Sequence, residues 1–282
     1  MVLFDLLDIA WTPIGNVTGY PSNTFSGIFD GQNYTIKNLK AEDKTVNHAT
    51  AGLFGSLNGT IKNVNIDGFE VVSSHYAGAI CGYSSASAST ISNCTVKNGT
   101  ILSTPESING EFDNGDKVGG IIGYCVTGDV IDGCTVENVS ITAYRDLGGI
   151  AGFASGKVIN NTVKNSFINQ DDTNAYKSSV TTYAAIIGRD GGATASNNVA
   201  DNVQISSPTL VAMAGGKVYG SVEEAIAAAA EGETVEIAKA GTYTVPAISK
   251  NITIKGTVNS VVFNCVGSGS ICSIPNGCTF EN

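Results

Sequence analysis

The stretch Glu111-Phe112-Asp113-Asn114-Gly115-Asp116 sets three carboxylates and one amide around a single glycine. Oxygen ligands gathered at a glycine turn are the chemistry of a Ca²⁺ site, and Asp113, Asn114 and Asp116 are the residues it would use. The spacing is not that of an EF-hand loop, and a polar turn is the simpler reading. Asp171-Asp172, in a later loop-like stretch, carries the same two readings.

Covalent chemistry needs more than this. Glycoside hydrolysis requires paired carboxylates, and lyase chemistry requires a carboxylate-held Ca²⁺ and a base. Arg occurs only at Arg145 and Arg189, and His only at His48 and His75, both in loop-like sequence where they are expected to be solvated. No reactive constellation is formed, so the chain is read as a non-enzyme.

Tyr83, Tyr124 and Phe153 each follow the closing glycine of a recurring phrase, described below. Equivalent positions in successive repeats should stack into a row. A solvent-facing aromatic row can stack on the apolar face of sugar rings, so these three residues are the ligand-binding candidates. The plainer alternative is an aromatic ladder covering a corner.

Among seven cysteines, Cys94 and Cys134 fall at matching repeat positions and Cys81 sits in an apolar run. Such cysteines read as small buried hydrophobes. Cys265, Cys272 and Cys278 cluster near the end, where one disulfide is an open reading. No CxxC pair is present, which argues against zinc.

The elements that position these residues follow from composition and repetition. The 282-residue chain is 42% hydrophobic and only 14% charged, so it is expected to fold rather than stay disordered. It holds 34 Gly but 6 Pro, which suits many short strands joined by tight turns. Net charge is −10 with no Lys/Arg cluster. Nucleic acid and anionic membrane surfaces are therefore poor partners. No stretch approaches the ~20 apolar residues of a membrane span. The opening MVLFDLLDIA lacks a basic flank and a small-residue cleavage site. It does not read as a signal peptide, so an exported form would carry its signal upstream or have lost it.

One phrase recurs: a small residue, Gly or Ala, two apolar residues, Gly. Copies are read at Ser26–Asp30, Ala51–Gly55, Gly78–Gly82, Gly119–Gly123, Gly148–Gly152 and Ala184–Gly188. Counted from their second residues (27, 52, 79, 120, 149, 185), the spacings are 25, 27, 41, 29 and 36, as in a solenoid with variable loops. A second phrase is read at Thr35–Leu39, Thr60–Val64, Thr90–Val96, Val130–Val136 and, one residue shorter, Val158–Val163, with a decayed copy at Thr194–Val199. A third, weaker phrase follows at Gly68–Val71, Gly99–Leu102, Val139–Thr142, Ser166–Ile168 and Val203–Ser206.

Each repeat therefore holds three short segments of period-2 alternation, too short for helices. Stacked turn on turn, they make an all-β, parallel β-helix of about six three-strand coils. It is expected to be right-handed, as nearly all parallel crossovers are. Ile28, Leu53, Ile80, Ile121, Ile150 and Ile186 are expected to form one interior ladder, and Ile36, Ile61, Ile91, Ile131 and Ile159 a second. Asn38, Asn63, Asn93 and Asn161 are expected to stack at one corner.

These phrases resemble those of the GLUG-motif family of bacterial repeat proteins, whose phrase is Gly-Gly-apolar-apolar-Gly. Trp11-Thr12-Pro13-Ile14-Gly15 followed by Phe25-Ser26-Gly27-Ile28-Phe29-Asp30-Gly31 is similar to that family's usual opening. The resemblance spans about residues 9–206. It implies a secreted or cell-surface module, often of the adhesion type, and some members accompany secreted peptidases. The family's repeat has no catalytic residue to carry over. Two departures stand out: an eroded stretch before Trp11, which fits a chain starting partway into its natural domain, and Ala184-Ala185 in place of Gly-Gly, which fits an array coming to its end.

Residues 207–220 read as a linker, with Pro208 and Gly215-Gly216. Ser221 followed by Glu224 is a capping box ahead of an alanine run, predicting a helix over about 221–230. Strand-like phrases follow at 234–237, 241–245 and 251–256, with others at 261–263 and 278–280. This order resembles the opening of a pectin-lyase-like β-helix. Residues 221–282 are expected to be the start of a second β-helix or a cap, with truncation the preferred reading.

The resulting expectation is a monomeric, non-catalytic, adhesin-like scaffold, extracellular or at the cell surface, contacting glycans or host or bacterial surface proteins. No cofactor is expected beyond the Ca²⁺ considered above. The competing reading is an ancillary module of a larger secreted peptidase or polysaccharide-degrading enzyme.

Overall fold

In the computed structural model the chain divides into two compact units, residues 1–206 and 207–282. The structure describes residues 3–7, 9–15, 23–44, 49–84, 88–103, 107–108, 111–112, 117–170, 183–206, 211–215, 217–245, 248–258, 261–265 and 279–281.

The first unit is a parallel β-helix. Each coil runs along three sides, and each side hydrogen-bonds in parallel register to the next coil. The second side is the simplest, a six-stranded sheet of Ile28–Asp30, Thr60–Lys62, Thr90–Ser92, Val130–Asp132, Lys157–Ile159 and Thr194–Ser196. The third side holds nine-residue strands, Thr35–Asp43, Asn65–Ser73, Thr95–Ser103 and Thr135–Ala143, each paired with the next.

The first side is broken by its glycines into a two- or three-residue strand and a four-residue strand, such as Lys117–Gly119 then Ile122–Cys125. The break has a steric cause. A Cβ on Gly120 would lie 2.2 Å from the Gly149 carbonyl oxygen, and one on Gly149 would lie 2.1 Å from the Ala185 carbonyl oxygen. Coils approach one another here more closely than any side chain permits.

Corners are built by Asn in the left-handed region. Between the second and third sides stand Asn63 (φ 55°), Asn93 (52°), Gly133 (64°), Asn160 (57°) and Asn197 (55°). Their amides run along the column: Asn63 Nδ2 donates to Asp30 Oδ1 at 2.9 Å, Asn160 to Asp132 Oδ1 at 2.8 Å, and Asn197 to Asn160 Oδ1 at 3.1 Å. A separate column bends the third side itself, at Asn38, Gly68, Asn98, Asn138, Asn165 and Asn202, all at positive φ.

Several expectations are corrected by the register and the backbone angles. Ile14 bridges Phe54 and Phe29 pairs with Ile61, so Trp11–Gly15 is the first copy of the first phrase and Ser26–Asp30 is the first copy of the second. Ile28 therefore leaves the interior ladder and is 74% exposed, because Phe29 and not Ile28 points inward. Leu53, Ile80, Ile121 and Ile150 stay buried. The second ladder is Phe29, Ile61, Ile91, Ile131 and Val158: Ile36 pairs with Ile66 on the third side, and Ile131 pairs with Val158, not Ile159. The phrase in the fifth coil thus begins at Lys157 and is not short. Asn38 belongs to the bend within the third side, while Asn161 turns inward and is buried beside the column led by Asn160.

Outward positions of the third side alternate in charge. Asp5, Lys37, Asp67, Lys97, Glu137, Lys164 and Asp201 are register neighbours in succession. Lys97 Nζ lies 3.4 Å from Asp67, and Lys164 Nζ lies 3.2 Å from Glu137. A one-coil slip would set like charges side by side.

In the second unit, Ala212–Ala214 pairs antiparallel with Lys217–Tyr219 and with Thr234–Ile237, so residues read as a linker are sheet. Parallel pairing then joins Thr234–Ile237 to Thr253–Gly256, Thr253–Gly256 to Thr279–Glu281, and Gly241–Val245 to Val261–Cys265. The helix, Val222–Ala228, is shorter than expected. Ser221 Oγ accepts from Glu224 N at 3.1 Å, capping it. Lys250 Nζ donates to the Ala227 and Ala229 carbonyls at 2.7 Å, placing a cation at its C-terminal end. Val222, Ala225 and Ile226 bury against Ala212, Val235, Ile237 and Ile254.

Candidate functional site

The strand after each first-phrase bend carries one equivalent position, half-buried in four coils and covered at Ser56. Register places Ser56, Tyr83, Tyr124, Phe153 and Arg189 at that position in successive coils. Tyr83, Tyr124 and Phe153 do stand together. Ring centroids are 5.4 Å apart for Tyr83–Tyr124 and 4.7 Å for Tyr124–Phe153, the latter pair inclined by only 10°.

Tyr76 was not expected in the row. It comes from the short strand before the bend, with its ring 5.3 Å from Tyr83 and 5.6 Å from Tyr124. Two cations join: Lys117 Nζ lies 5.2 Å from the Tyr76 centroid and 5.4 Å from that of Tyr124, and the Arg189 guanidinium lies 5.7 Å from that of Phe153. Arg189 follows the closing Gly188 of the sixth copy and so was within reach of the spacing, whereas Tyr76 and Lys117 precede their phrases and were found by register.

Tyr76, Tyr83 and Tyr124 form a triangle of rings with centroids 5.3 to 5.6 Å apart, and Phe153 stacks on Tyr124. A Cβ on Gly191 would lie 2.3 Å from Phe153 Cζ, so that ring also covers the next coil. The row presents half-buried rings with two cations beside them.

A concave surface lies elsewhere on the first unit. A cleft of about 600 Å³ is lined by Trp11, Pro13, Lys40, Glu42, Glu70 and Val72. Trp11 pairs with Ala41 in register, and its indole Nε1 donates to the Leu53 carbonyl at 2.9 Å, which pins the ring. Lys44 and Glu42 form a 2.7 Å ion pair on the rim. One indole beside carboxylates and ammoniums suits a polar ligand with an apolar patch, such as a sugar. Trp11 was read only as part of a repeat phrase, and its neighbours come from strands 30 to 60 residues away.

Other singled-out residues fall as follows. Asp113, Asn114 and Asp116, like Asp171, Asp172, His48, Cys272 and Cys278, lie outside the described residues. Ser107–Ile108 and Glu111–Phe112 beside the first group form an antiparallel pair. His75, expected in solvent, is 2% exposed, because the segment after Ser73 turns inward and sets its ring 3.8 Å from that of Tyr76. Arg189 reaches Asp146, a buried carboxylate, at 3.7 Å.

Asp129 is a buried carboxylate that the sequence did not flag. It accepts from Ser89 N at 2.9 Å, Ala88 N at 3.3 Å and Val126 N at 2.9 Å, tying the turns of two coils together. Burial pushes its carboxyl above the usual range against these bonds. It has the environment of a structural staple. Burial also pushes the Cys81 thiol up, and that of Cys125 to about 12, so both are inert hydrophobes. Among the described residues, no helix is long and apolar enough to cross a membrane.

No protein-family profile matches the chain. Halomucin from Haloquadratum walsbyi is 30% identical over 116 residues, which is 40% of this chain, while the chain spans about 1% of that protein's length. Among solved structures, a "putative immunoglobulin A1 protease" from Bacteroides ovatus aligns with 99% of this chain and 76% of its own, at 17% identity and a TM-score of 0.48.

Proposed function

We propose that this chain is a non-catalytic, adhesin-like scaffold of a secreted or cell-surface protein, with GLUG-type repeats, contacting glycans or surface proteins from its outer faces. The observation that carries this reading is the Trp11 cleft, a pinned indole among charged side chains on a rigid stack of coils. The described outward ladders of amide, charge and aromatic groups contact their counterparts coil on coil, which fits a scaffold role. The halomucin similarity fits a surface setting over the part of the chain it covers.

The test is binding of the purified chain to a glycan array and to immobilised mucin-type glycoproteins, with Trp11→Ala alongside. Binding that falls at least tenfold in Trp11→Ala, with an unchanged circular dichroism spectrum, supports the cleft. Binding unaffected by Trp11→Ala but lost in Lys117→Ala moves contact to the aromatic row. No binding to any glycan or glycoprotein contradicts the adhesin reading.

A further inference from the structure

An inward column begins one residue after the Asn63–Asn93–Gly133–Asn160 corner. It holds Val64, Cys94, Cys134, Asn161 and Asn198 in successive coils. Cys94 and Cys134 sit one above the other: Thr95 and Thr135 are register partners, and Thr135 N donates to the Cys94 carbonyl at 2.8 Å. Both side chains are buried, at 0% and 1% exposure. Cys94 Sγ donates to the Ser92 carbonyl at 3.3 Å, and Cys134 Sγ reaches the Asp132 carbonyl at 3.6 Å and that of Ile91 at 3.8 Å.

The other buried thiols, Cys81 and Cys125, have no cysteine as register neighbour. Cys81 has Phe54 and Ile122 as its register neighbours, and Cys125 pairs with Ala154. Adjacent coils about 4.8 Å apart fall within the Cα separations that disulfides span, and a corner is less constrained than mid-strand.

We propose that Cys94 and Cys134 are a site of disulfide formation, a covalent tie between the third and fourth coils. The oxidant is a small-molecule disulfide or a dithiol–disulfide oxidoreductase. The Cys94 thiolate attacks the external disulfide, forming a mixed disulfide and expelling one thiolate. Cys134 then loses its proton, attacks the Cys94 sulfur and expels the second. Two protein thiols become one disulfide, and one external disulfide becomes two thiols. The neighbouring Cys134 holds the Cys94 thiol below the usual range, which favours Cys94 as the first nucleophile. Because both sulfurs are buried, the reaction proceeds as the coils close or through their transient opening.

This inference is independent of the proposed function, since oxidation in buffer does not depend on where the protein works. The experiment uses the full chain, with Cys265, Cys272 and Cys278 changed to Ser, refolded with oxidised or reduced glutathione. Each sample is then alkylated under denaturing conditions and mapped by peptide mass. The expected result is a Cys94–Cys134 linked peptide, a protein lighter by two hydrogens, and a higher urea midpoint than in the reduced form. Cys94→Ala and Cys134→Ala should each fold and abolish that peptide. Full alkylation of both residues after oxidative refolding overturns the proposal, as does a linked peptide joining Cys81 to Cys125 instead.

Discussion

In the first unit a buried side chain meets its own counterpart one coil away: Ile61 lies beside Ile91, and Ile91 beside Ile131. In the second unit such columns are short: among the described residues the deepest spans three strands, as in Thr234, Thr253 and Thr279. Val222, Ala225 and Ile226 of a seven-residue helix bury against single positions of a mixed sheet that opens with an antiparallel pair. Repetition makes each coil's interior a template for the next, so stability is shared between neighbours. The second unit relies on local devices, a capped helix and one apolar cluster. Damage should therefore spread along the first unit and stay local in the second.

The largest effect should come from closing the gap between coils. Gly149→Val would drive Cβ into the Ala185 carbonyl, and its methyls toward Val163. A loss of about 4 kcal/mol or more is expected, measured as a collapsed urea midpoint for the first unit. Next is Ile131→Ala, which empties a fully buried position and should cost about 2–5 kcal/mol. The equivalent residue of the sixth coil, Ala195, is exposed, so Ala195→Ser should change the midpoint by less than about 0.5 kcal/mol.

In the second unit, Ser221→Ala removes one cap and should cost about 1 kcal/mol, with faster amide exchange confined to 222–228. The smallest effect is electrostatic. The Asn98 amide holds the Asp67 carboxyl below its usual range, helped by Lys97 and Lys37. Such a carboxyl stabilises the fold above its unfolded pKa of about 3.9, and that contribution is lost as pH falls through the folded value. The midpoint difference between the native protein and Asp67→Asn should be at most about 1 kcal/mol at pH 7, closing on acidification.

The repeat architecture was legible because glycine pairs, Asn corners and period-2 segments recur together. Phase was less legible. In the first coil Ser26–Asp30 mimics the first phrase, since Gly27-Ile28-Phe29 has the same small-apolar-apolar pattern, and only pairing with Thr60–Lys62 shows its true place. Asn160-Asn161 offered two residues for one corner, and φ decided between them. Tyr83, Tyr124 and Phe153 could be grouped from spacing alone. Tyr76, Lys117 and the Trp11 cleft could not, because they join residues from different sides and coils. The linker reading of 207–220 failed because Gly215 serves an antiparallel turn, a use of glycine that composition does not distinguish from a hinge.

Hydrogen exchange resolved by residue tests the stacked scaffold most directly. The account predicts that amides of Thr60–Lys62, Thr90–Ser92, Val130–Asp132 and Lys157–Ile159 exchange slowly and as one set. Those of Thr194–Ser196 and Val199–Asp201, whose side chains are exposed, should exchange faster, and 222–256 should form a separate set. Exchange of the second-side strands at unrelated rates, or a sixth coil as slow as the fourth, would contradict it.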